Sequence, residues 1–373
     1  MRVGQIIDGM GPGGAQKLLV QLVQQALEHG IEMVVVTLAH ARSSAVDELE
    51  RLGVRLVEFP SRRLFSPARL WRLARFVRNE RFDVVQCHLT YANILGPLAG
   101  RLAGVPVVAT LRSTSQHQTR AVRLRGHLEH LVLDRLACQV VAVGPAVARA
   151  HQPYLRSRRI TVIVRPTPLP ACLDDRERAG LRAGLVGDPA RPIVVAVGRL
   201  SPEKGYDDLL AAFLTVHRRH PAAALIIAGS GDPHELAGRI GAGGLEKDVK
   251  LLGDRRDVPR LLAASDLFVM ASHWEGLPSA VGEAMAAGLP VVATAVGDVP
   301  WLLGDAAGLL VPPHQPEALA AALIELLDDP PRRAAMGQAA RSLVAGLHSP
   351  AAWFDDHLAV YRRAMGARAE AAP

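Results

Sequence analysis

The chain has 373 residues, 49% of them hydrophobic and 4% aromatic, long enough for two domain cores and too poor in aromatics to offer stacking platforms to nucleic acid. Its net charge of +7 is unevenly placed, with 23 Lys and Arg against 11 Asp and Glu in residues 1–170 and 20 against 25 in the remainder. No apolar run reaches membrane-spanning length, the N-terminus lacks a signal-peptide layout, and Cys87, Cys138 and Cys172 have no metal-ligand spacing, so a cytoplasmic protein with buried, reduced thiols is expected.

Apolar strands alternating with amphipathic helices predict an α/β protein with mostly parallel sheets. The first strand, Val3 to Ile7, runs into Gly9-Met10-Gly11-Pro12-Gly13-Gly14, which opens a long helix. That spacing is not G-x-G-x-x-G and no acidic residue ends the next strand in a ribose-binding position, which argues against nicotinamide binding. The glycines still let backbone approach a ligand, although a tight strand-to-helix turn explains them equally. Strands are then expected over Met33 to Leu38 and Val54 to Phe59. A helix over Pro67 to Asn79 gathers Leu70, Leu73, Ala74 and Val77 on one arc and Arg69, Arg72, Arg75 and Arg78 on the other, with Trp71 and Phe76 among them. Such a helix either covers a sheet with its basic face in solvent or docks on an anionic membrane, where Arg62, Arg63, Arg120, Arg123 and Arg125 add charge. The basic first half also suits an acidic acceptor or an arginine-rich solubilising surface, and no helix-turn-helix speaks for nucleic acid.

The strand Val84 to Cys87 ends at His88, at the edge where α/β sheets place ligands, although an isolated histidine is as readily a packed side chain. Strands over Val105 to Leu111, Val140 to Val143 and Ile160 to Val164 complete the first half. Arg165-Pro166-Thr167-Pro168-Leu169-Pro170 continues neither strand nor helix and reads as a stiff linker. The expected division is a first domain over 1–168, a linker over 169–190, a second domain over 191–347 and a last helix within 348–373, with 366–373 frayed. Strands in the second half are expected over Ile193 to Val197, Ala223 to Ala228, Val249 to Leu252, Leu267 to Ala271, Val291 to Ala295 and Leu309 to Val311.

Arg199 and Lys204 follow the first of these strands in a loop shaped by Pro202 and Gly205, where two cations can neutralise a leaving diphosphate or simply decorate a surface. Gly231 closes a glycine turn after Ile226-Ile227-Ala228, and Arg255 lies in Gly253-Asp254-Arg255-Arg256 after the next strand. The most telling stretch runs from Ser272 to Val292. After a buried strand, Glu275 lies on a loop with Gly276 and Leu277, Pro278 and Ser279 open a helix with Ser279 as N-cap, and Glu283 lies one turn in. The two carboxylates are eight positions apart across a helix start whose free N–H groups, near Leu277 to Val281, suit a diphosphate.

This string resembles the E-x7-E signature of retaining glycosyltransferase family 4, whose members share the GT-B fold of two facing Rossmann-like domains. Val197-Gly198-Arg199-Leu200-Ser201-Pro202-Glu203-Lys204-Gly205 is similar to that family's phosphate-contacting segment, and Ile226 to Gly231 to its next strand and glycine turn. The resemblance implies a metal-independent, anomer-retaining transferase that moves a sugar from a nucleoside diphosphate, UDP first, to a saccharide or lipid-linked acceptor, with no cofactor beyond the donor substrate. It implies that Glu275 holds sugar hydroxyls, Glu283 the ribose, Gly13 and Gly14 the donor from the first domain, and that His88 lies near the transferred sugar. It also places the family's base contacts near Arg255 and, in membrane-associated relatives, a basic segment after the third strand, which implies a cytoplasmic protein peripheral on the inner face of the membrane. The last helix is implied to cross back to the first domain. Gln86 stands where the family often has a second histidine, Gly297-Asp298 replaces two glycines and a Glu, and the linker lacks the common Asn-Gly pair. A GT-B-like sugar-nucleotide epimerase would share the nucleotide grip but need more acids and bases than His88. A non-enzymatic sugar-nucleotide sensor would need neither both cations nor both glutamates.

Overall fold

The computed structural model describes residues 1–11, 13–40, 43–61, 66–114, 120–170, 173–347 and 349–371. The chain divides into two compact units, residues 1–165 with 348–373, and residues 166–347. In the first, strands β1 (Arg2–Ile7), β2 (Glu32–Thr37), β3 (Leu56–Glu58), β4 (Val84–His88), β5 (Val107–Leu111), β6 (Gln139–Ala142) and β7 (Ile160–Val162) form a parallel sheet in the order β3-β2-β1-β4-β5-β6-β7. In the second, β8 (Ile193–Val197), β9 (Ala224–Ala228), β10 (Val249–Leu251), β11 (Leu267–Met270), β12 (Val291–Thr294) and β13 (Gly308–Val311) form a parallel sheet in the order β10-β9-β8-β11-β12-β13. Each expected strand is present, trimmed at one or both ends in most cases. The sequence pattern overshoots because apolar residues continue past the last ladder bond into the loops.

Helices cover both faces of each sheet, so the central strands are buried throughout and read as continuous apolar runs. In β1, Val3 and Ile7 pack beneath the helix Gly14–Glu28, while Ile6 joins Val85, Cys87 and Leu95 on the other face. The last helix, Pro350–Ala371, belongs to the first unit, where Trp353, Phe354 and Tyr361 enter the core. It continues past the expected fraying point at 366 to Ala371.

Three expectations are corrected. Most of the expected linker is helix: Asp174 accepts from the Glu177 amide at 2.7 Å while Glu177 accepts from the Asp174 amide at 3.3 Å, a capping box that starts the helix Asp175–Val186. Buried Arg182 ties that helix to the second unit through the carbonyls of Pro189, Ala264 and Arg191 and the Asp266 carboxylate. Arg69 is not on a solvated face. It is 3% exposed, donating Nε to the Phe59 carbonyl at 2.9 Å and a terminal nitrogen to the Leu38 carbonyl, so it anchors its helix to the ends of β2 and β3. Ser279 is the first helical residue of Ser279–Ala286, with Pro278 at the N-cap and no side-chain cap. Arg62, Arg63 and Cys172 lie outside the described residues, and nothing is described of the Arg120 side chain. Cys87 is buried, which pushes its thiol up, and Cys138 is half-buried, both as free thiols. Among the described residues no helix is long and apolar enough to cross a membrane.

Candidate functional site

In the second unit the strand order reverses beside β8: the chain winds outward through β9 and β10, then returns to place β11 on the other side of β8. The loops leaving the carboxyl ends of β8 and β11 therefore diverge from a common crevice, the usual ligand position in an open α/β sheet. Arg199 and Lys204 sit on the first loop, Glu275 on the second. The loops come together because Gly205, at φ 61°, lies where a Cβ would be 2.1 Å from the Ala271 carbonyl oxygen. The His273 amide donates to the Glu203 carbonyl at 2.8 Å and locks the two loops.

Lys204 and Glu275 meet in that crevice, Nζ to Oε1 at 2.5 Å, with side chains 22% and 12% exposed. The Ser272 hydroxyl donates to the same carboxylate oxygen at 2.8 Å, and the Thr294 hydroxyl donates to the Ser272 carbonyl at 2.6 Å. Gly297, at φ 56°, brings the chain after β12 so close that a Cβ there would lie 2.6 Å from the Glu275 carbonyl. Sequence reasoning passed over Ser272, Thr294 and this use of Gly297. A hydroxyl three residues before a loop carboxylate was the one signal available for Ser272.

Arg199 is mostly exposed and donates to Glu203 at 2.9 Å. Burial pushes the Glu203 carboxyl up, but hydrogen bonds from Ser201 and backbone with the charges of Arg199 and Lys204 outweigh it and hold the group below its ordinary range. Tyr206 donates to the Gly198 carbonyl at 2.8 Å, fixing the loop, and burial with the Glu275 charge raises its phenol. Gly231 packs on Leu200, so the turn after β9 also borders this loop. Glu283 is half-buried in its helix, and its carboxylate has no partner among the described residues. Gly276 and Pro278 are buried, and Leu277 and Ser279 half-buried, at that helix start. Arg255 is held by both oxygens of Asp257, at 2.7 and 2.6 Å, rather than standing free.

The remaining expected site residues belong to the first unit. Gly13 is the N-cap and Gly14 the first residue of the helix Gly14–Glu28, and Gln16 braces the loop by donating to the Gly9 carbonyl at 2.8 Å. His88 is 1% exposed, with Nε2 2.7 Å from Gln5 Oε1 and Nδ1 3.0 Å from an Arg112 nitrogen. Arginine only donates, so Nδ1 accepts and Nε2 carries the hydrogen. Burial and the Arg112 and His357 charges hold His88 well below its ordinary pKa. Both ring nitrogens are thus occupied within this unit, and an exchangeable role for His88 first requires Arg112 or Gln5 to move.

Around His88 the polar groups continue. Gln5 donates to the Tyr361 hydroxyl at 3.1 Å, Tyr361 donates to Gln86, and Gln86 donates to the Thr110 hydroxyl at 2.8 Å. Gln86, conspicuous in the sequence, is a hub of this network. Asp8 closes β1 and accepts from the amides of Tyr91 and Ala92 at 3.1 and 2.6 Å, capping the helix Thr90–Ala103, and burial pushes its carboxyl up to about 7.

Residues 12–169 match the family model described as Glycosyltransferase Family 4, and residues 181–343 match that described as Glycosyl transferases group 1. An alpha-D-kanosaminyltransferase of Streptomyces kanamyceticus is 32% identical over 288 residues, 71% of this chain and 72% of that protein. A GDP-mannose-dependent monoacylated alpha-(1-6)-phosphatidylinositol monomannoside mannosyltransferase of Corynebacterium glutamicum is 37% identical over 184 residues, which span about half of each, 47% of this chain and 48% of that protein. Among solved structures, Anabaena HepE in complex with UDP-glucose superposes with a TM-score of 0.85 at 23% identity, over 96% of this chain and 100% of that one.

Two measurements test this geometry. Burial holds His357 near a pKa of about 3, against 6.5 when unfolded. The folded group is depressed, so its stability is present above pH 6.5 and lost as pH falls toward 3; at pH 5 the loss is about 2 kcal/mol. Urea denaturation at pH 7 and pH 5 is expected to show that difference shrinking by this amount in His357→Asn, and an unchanged difference would exclude a buried neutral His357. In a double-mutant cycle, Lys204→Met and Glu275→Gln are each expected to destabilise, the pair together less than additively by about 0.5–3 kcal/mol. Strict additivity would mean the two side chains do not interact.

Proposed function

This chain belongs to glycosyltransferase family 4, with the GT-B fold, and from that premise we propose that it is an anomer-retaining, metal-independent enzyme transferring a sugar from a nucleoside diphosphate, UDP first, to a saccharide or lipid-linked acceptor. The observation that carries this reading is the Lys204–Glu275 contact in the crevice where the second sheet reverses, with Arg199 on the same loop as Lys204 and Glu283 in the helix that follows the Glu275 loop. HepE, similar over nearly the whole chain, holds UDP-glucose in its crystal structure, which favours UDP. The Corynebacterium relative is named for a GDP-mannose donor and a lipid acceptor, which makes the base a matter for direct comparison.

Arg199 and Lys204 take the diphosphate and balance the charge that grows on it as the glycosidic bond breaks; a preorganised contact of that kind is worth about 2.7–4 kcal/mol of barrier. The amides at the start of Ser279–Ala286 add donors to the same phosphates. Glu283 binds the ribose and Glu275 the sugar hydroxyls, so neither serves as the nucleophile that retaining hydrolases place about 5–5.5 Å from their acid. Attack then comes from the face the diphosphate leaves, through an oxocarbenium-like state, and the departing phosphate oxygen accepts the acceptor's proton. Within the first unit, Gly13 and Gly14 form the helix start that the resemblance assigns to a ligand, and His88 positions Arg112.

The helix Pro67–Asn79 adds a membrane-docking face. With Arg69 buried, that face consists of exposed Arg72, Arg75 and Arg78, with Trp71 61% exposed and the Arg75 guanidinium 5.4 Å from its ring. An aromatic bordered by cations suits a headgroup interface, and it is supported by the lipid acceptor named for the Corynebacterium relative.

Thermal shifts across UDP-, GDP-, ADP- and dTDP-sugars are expected to single out the UDP series. Glu283→Ala is expected to weaken UDP binding about 10- to 100-fold, the loss of one charge-assisted contact. Glu275→Ala lowers kcat by about 10²-fold or more with smaller change in UDP affinity, and transfer persists in EDTA. Wild-type turnover by Glu275→Ala, or an absolute need for Mg²⁺ or Mn²⁺, overturns the reading. For the membrane face, co-sedimentation with anionic vesicles at low salt is expected to fall severalfold when Arg72, Arg75 and Arg78 are changed to Gln. Equal binding by both proteins, or none by either, favours a soluble acceptor.

A further inference from the structure

Asp208, His273 and His314 converge in the second unit, outside the groups assigned to the donor. Asp208 lies in the first turn of the helix Tyr206–Arg219, His273 on the loop after β11, and His314 on the loop between β13 and the helix Pro316–Asp328. Their ligand atoms lie within 4.8 Å of one another. Asp208 Oδ2 is 2.9 Å from His273 Nε2 and 3.8 Å from His314 Nδ1, and the two imidazole rings are 3.9 Å apart between centroids. We infer that these three side chains form a binding site for a divalent transition-metal ion, with Zn²⁺ as the best fit.

The geometry supports this in three ways. Zinc bound at about 2.0–2.1 Å places neighbouring tetrahedral ligands about 3.3 Å apart, and the two separations to Asp208, 2.9 and 3.8 Å, lie on either side of that value. His314 is the exposed member of the set and so the ligand with freedom to adjust. The donor set, two imidazoles and one carboxylate with room for water, suits zinc and its first-row neighbours and is a poor cage for Mg²⁺ or Ca²⁺, which demand more oxygens. Finally, the ligands stand on elements that are already fixed. The His273 amide is bonded to the Glu203 carbonyl at 2.8 Å, a Cβ on Gly205 would lie 3.0 Å from His273 Nε2, and the helices carrying Asp208 and following His314 share the core on one side of the sheet. A bound ion would join the loop that carries Glu275 to the start of the Tyr206 helix and to the end of β13.

Ordinary ion pairs of His273 and His314 with Asp208 are the competing account, and they bind no metal. The test uses the full-length protein, freed of metal with EDTA and dialysed, and titrated calorimetrically with ZnCl₂ beside the single variants Asp208→Asn and His314→Gln. One equivalent of Zn²⁺ is expected to bind wild type and raise its melting temperature, with affinity at least ~10-fold weaker in each variant. Bound Co²⁺ should give visible absorption in wild type that both variants lose. His314 is exposed and Asp208 half-buried, so both replacements are expected to leave the fold intact, which circular dichroism checks. No Zn²⁺ bound by wild type, or equal binding by wild type and both variants, overturns the inference. Neither readout depends on turnover, so failure here leaves the transferase reading untouched, and failure of that reading leaves the metal site untouched.

Discussion

The reversal of strand order at β8 is the constraint on which the second unit's chemistry depends. A parallel sheet wound one way from β8 to β10 and the other way from β11 to β13 must leave two loops diverging at one place. Charged residues on those loops meet only if the backbones come nearly into contact, and that contact rests on a position without a Cβ. Gly205 lets the loop after β8 rest on Ala271, and Gly297 lets the chain after β12 rest on the other side of the Glu275 loop. The Lys204–Glu275 pair is thus held by backbone packing, with Ser272 and Thr294 fixing the carboxylate from behind.

The first sheet has the same reversal, between β1 and β4, and uses it differently. There the unit's own side chains fill the edge. Asp8 is spent on the helix Thr90–Ala103, and His88 is clamped between Gln5 and Arg112. The helix Pro350–Ala371 closes the network by supplying Tyr361 and His357. A buried polar network is stable only when its donors and acceptors match. This one holds His88 neutral, with Nδ1 accepting from Arg112, and burial makes protonating its histidines weigh against folding. One topology therefore gives a charged contact in one unit and a satisfied polar core in the other.

Much of this was legible in the sequence, because periodicity reports burial directly. Strands with both faces covered are largely apolar, so the strands of the described residues stand out as runs flanked by turn residues even where Gln5, Gln86 and His88 interrupt β1 and β4. The loop-to-helix placement of Glu275 and Glu283 was legible for a similar reason, since strand ends, Pro278 and Gly288 punctuate it. Partners were not legible. Arg69 falls on the polar arc of a helical projection, yet its long side chain reaches back to the Phe59 and Leu38 carbonyls left open at the sheet edge. The capping box of Asp174 and Glu177 was written in the sequence, but the prolines before it draw the eye to a linker. Asp208, His273 and His314 lie far apart along the chain, and only the winding of the sheet brings them together.

The two glutamates show how environment divides similar groups. Glu283 is half-buried with no partner among the described residues, so a hydroxyl-bearing ligand would gain its hydrogen bonds there without breaking a described contact. Glu275 is already satisfied, by Lys204 and by Ser272. On the proposed reading, a diphosphate that draws Lys204 away leaves that carboxylate short of one charged donor in a largely buried place, a loss that is costly unless a new donor arrives. Sugar hydroxyls are such donors. On the proposed reading, phosphate binding at Lys204 and hydroxyl binding at Glu275 are coupled through one shared contact: a free diphosphate breaks the pair without replacing it, whereas a sugar diphosphate replaces both halves. On the same reading, discrimination between the intact donor and its nucleotide product follows from that asymmetry, with Ser272 keeping the carboxylate in place while its partner changes.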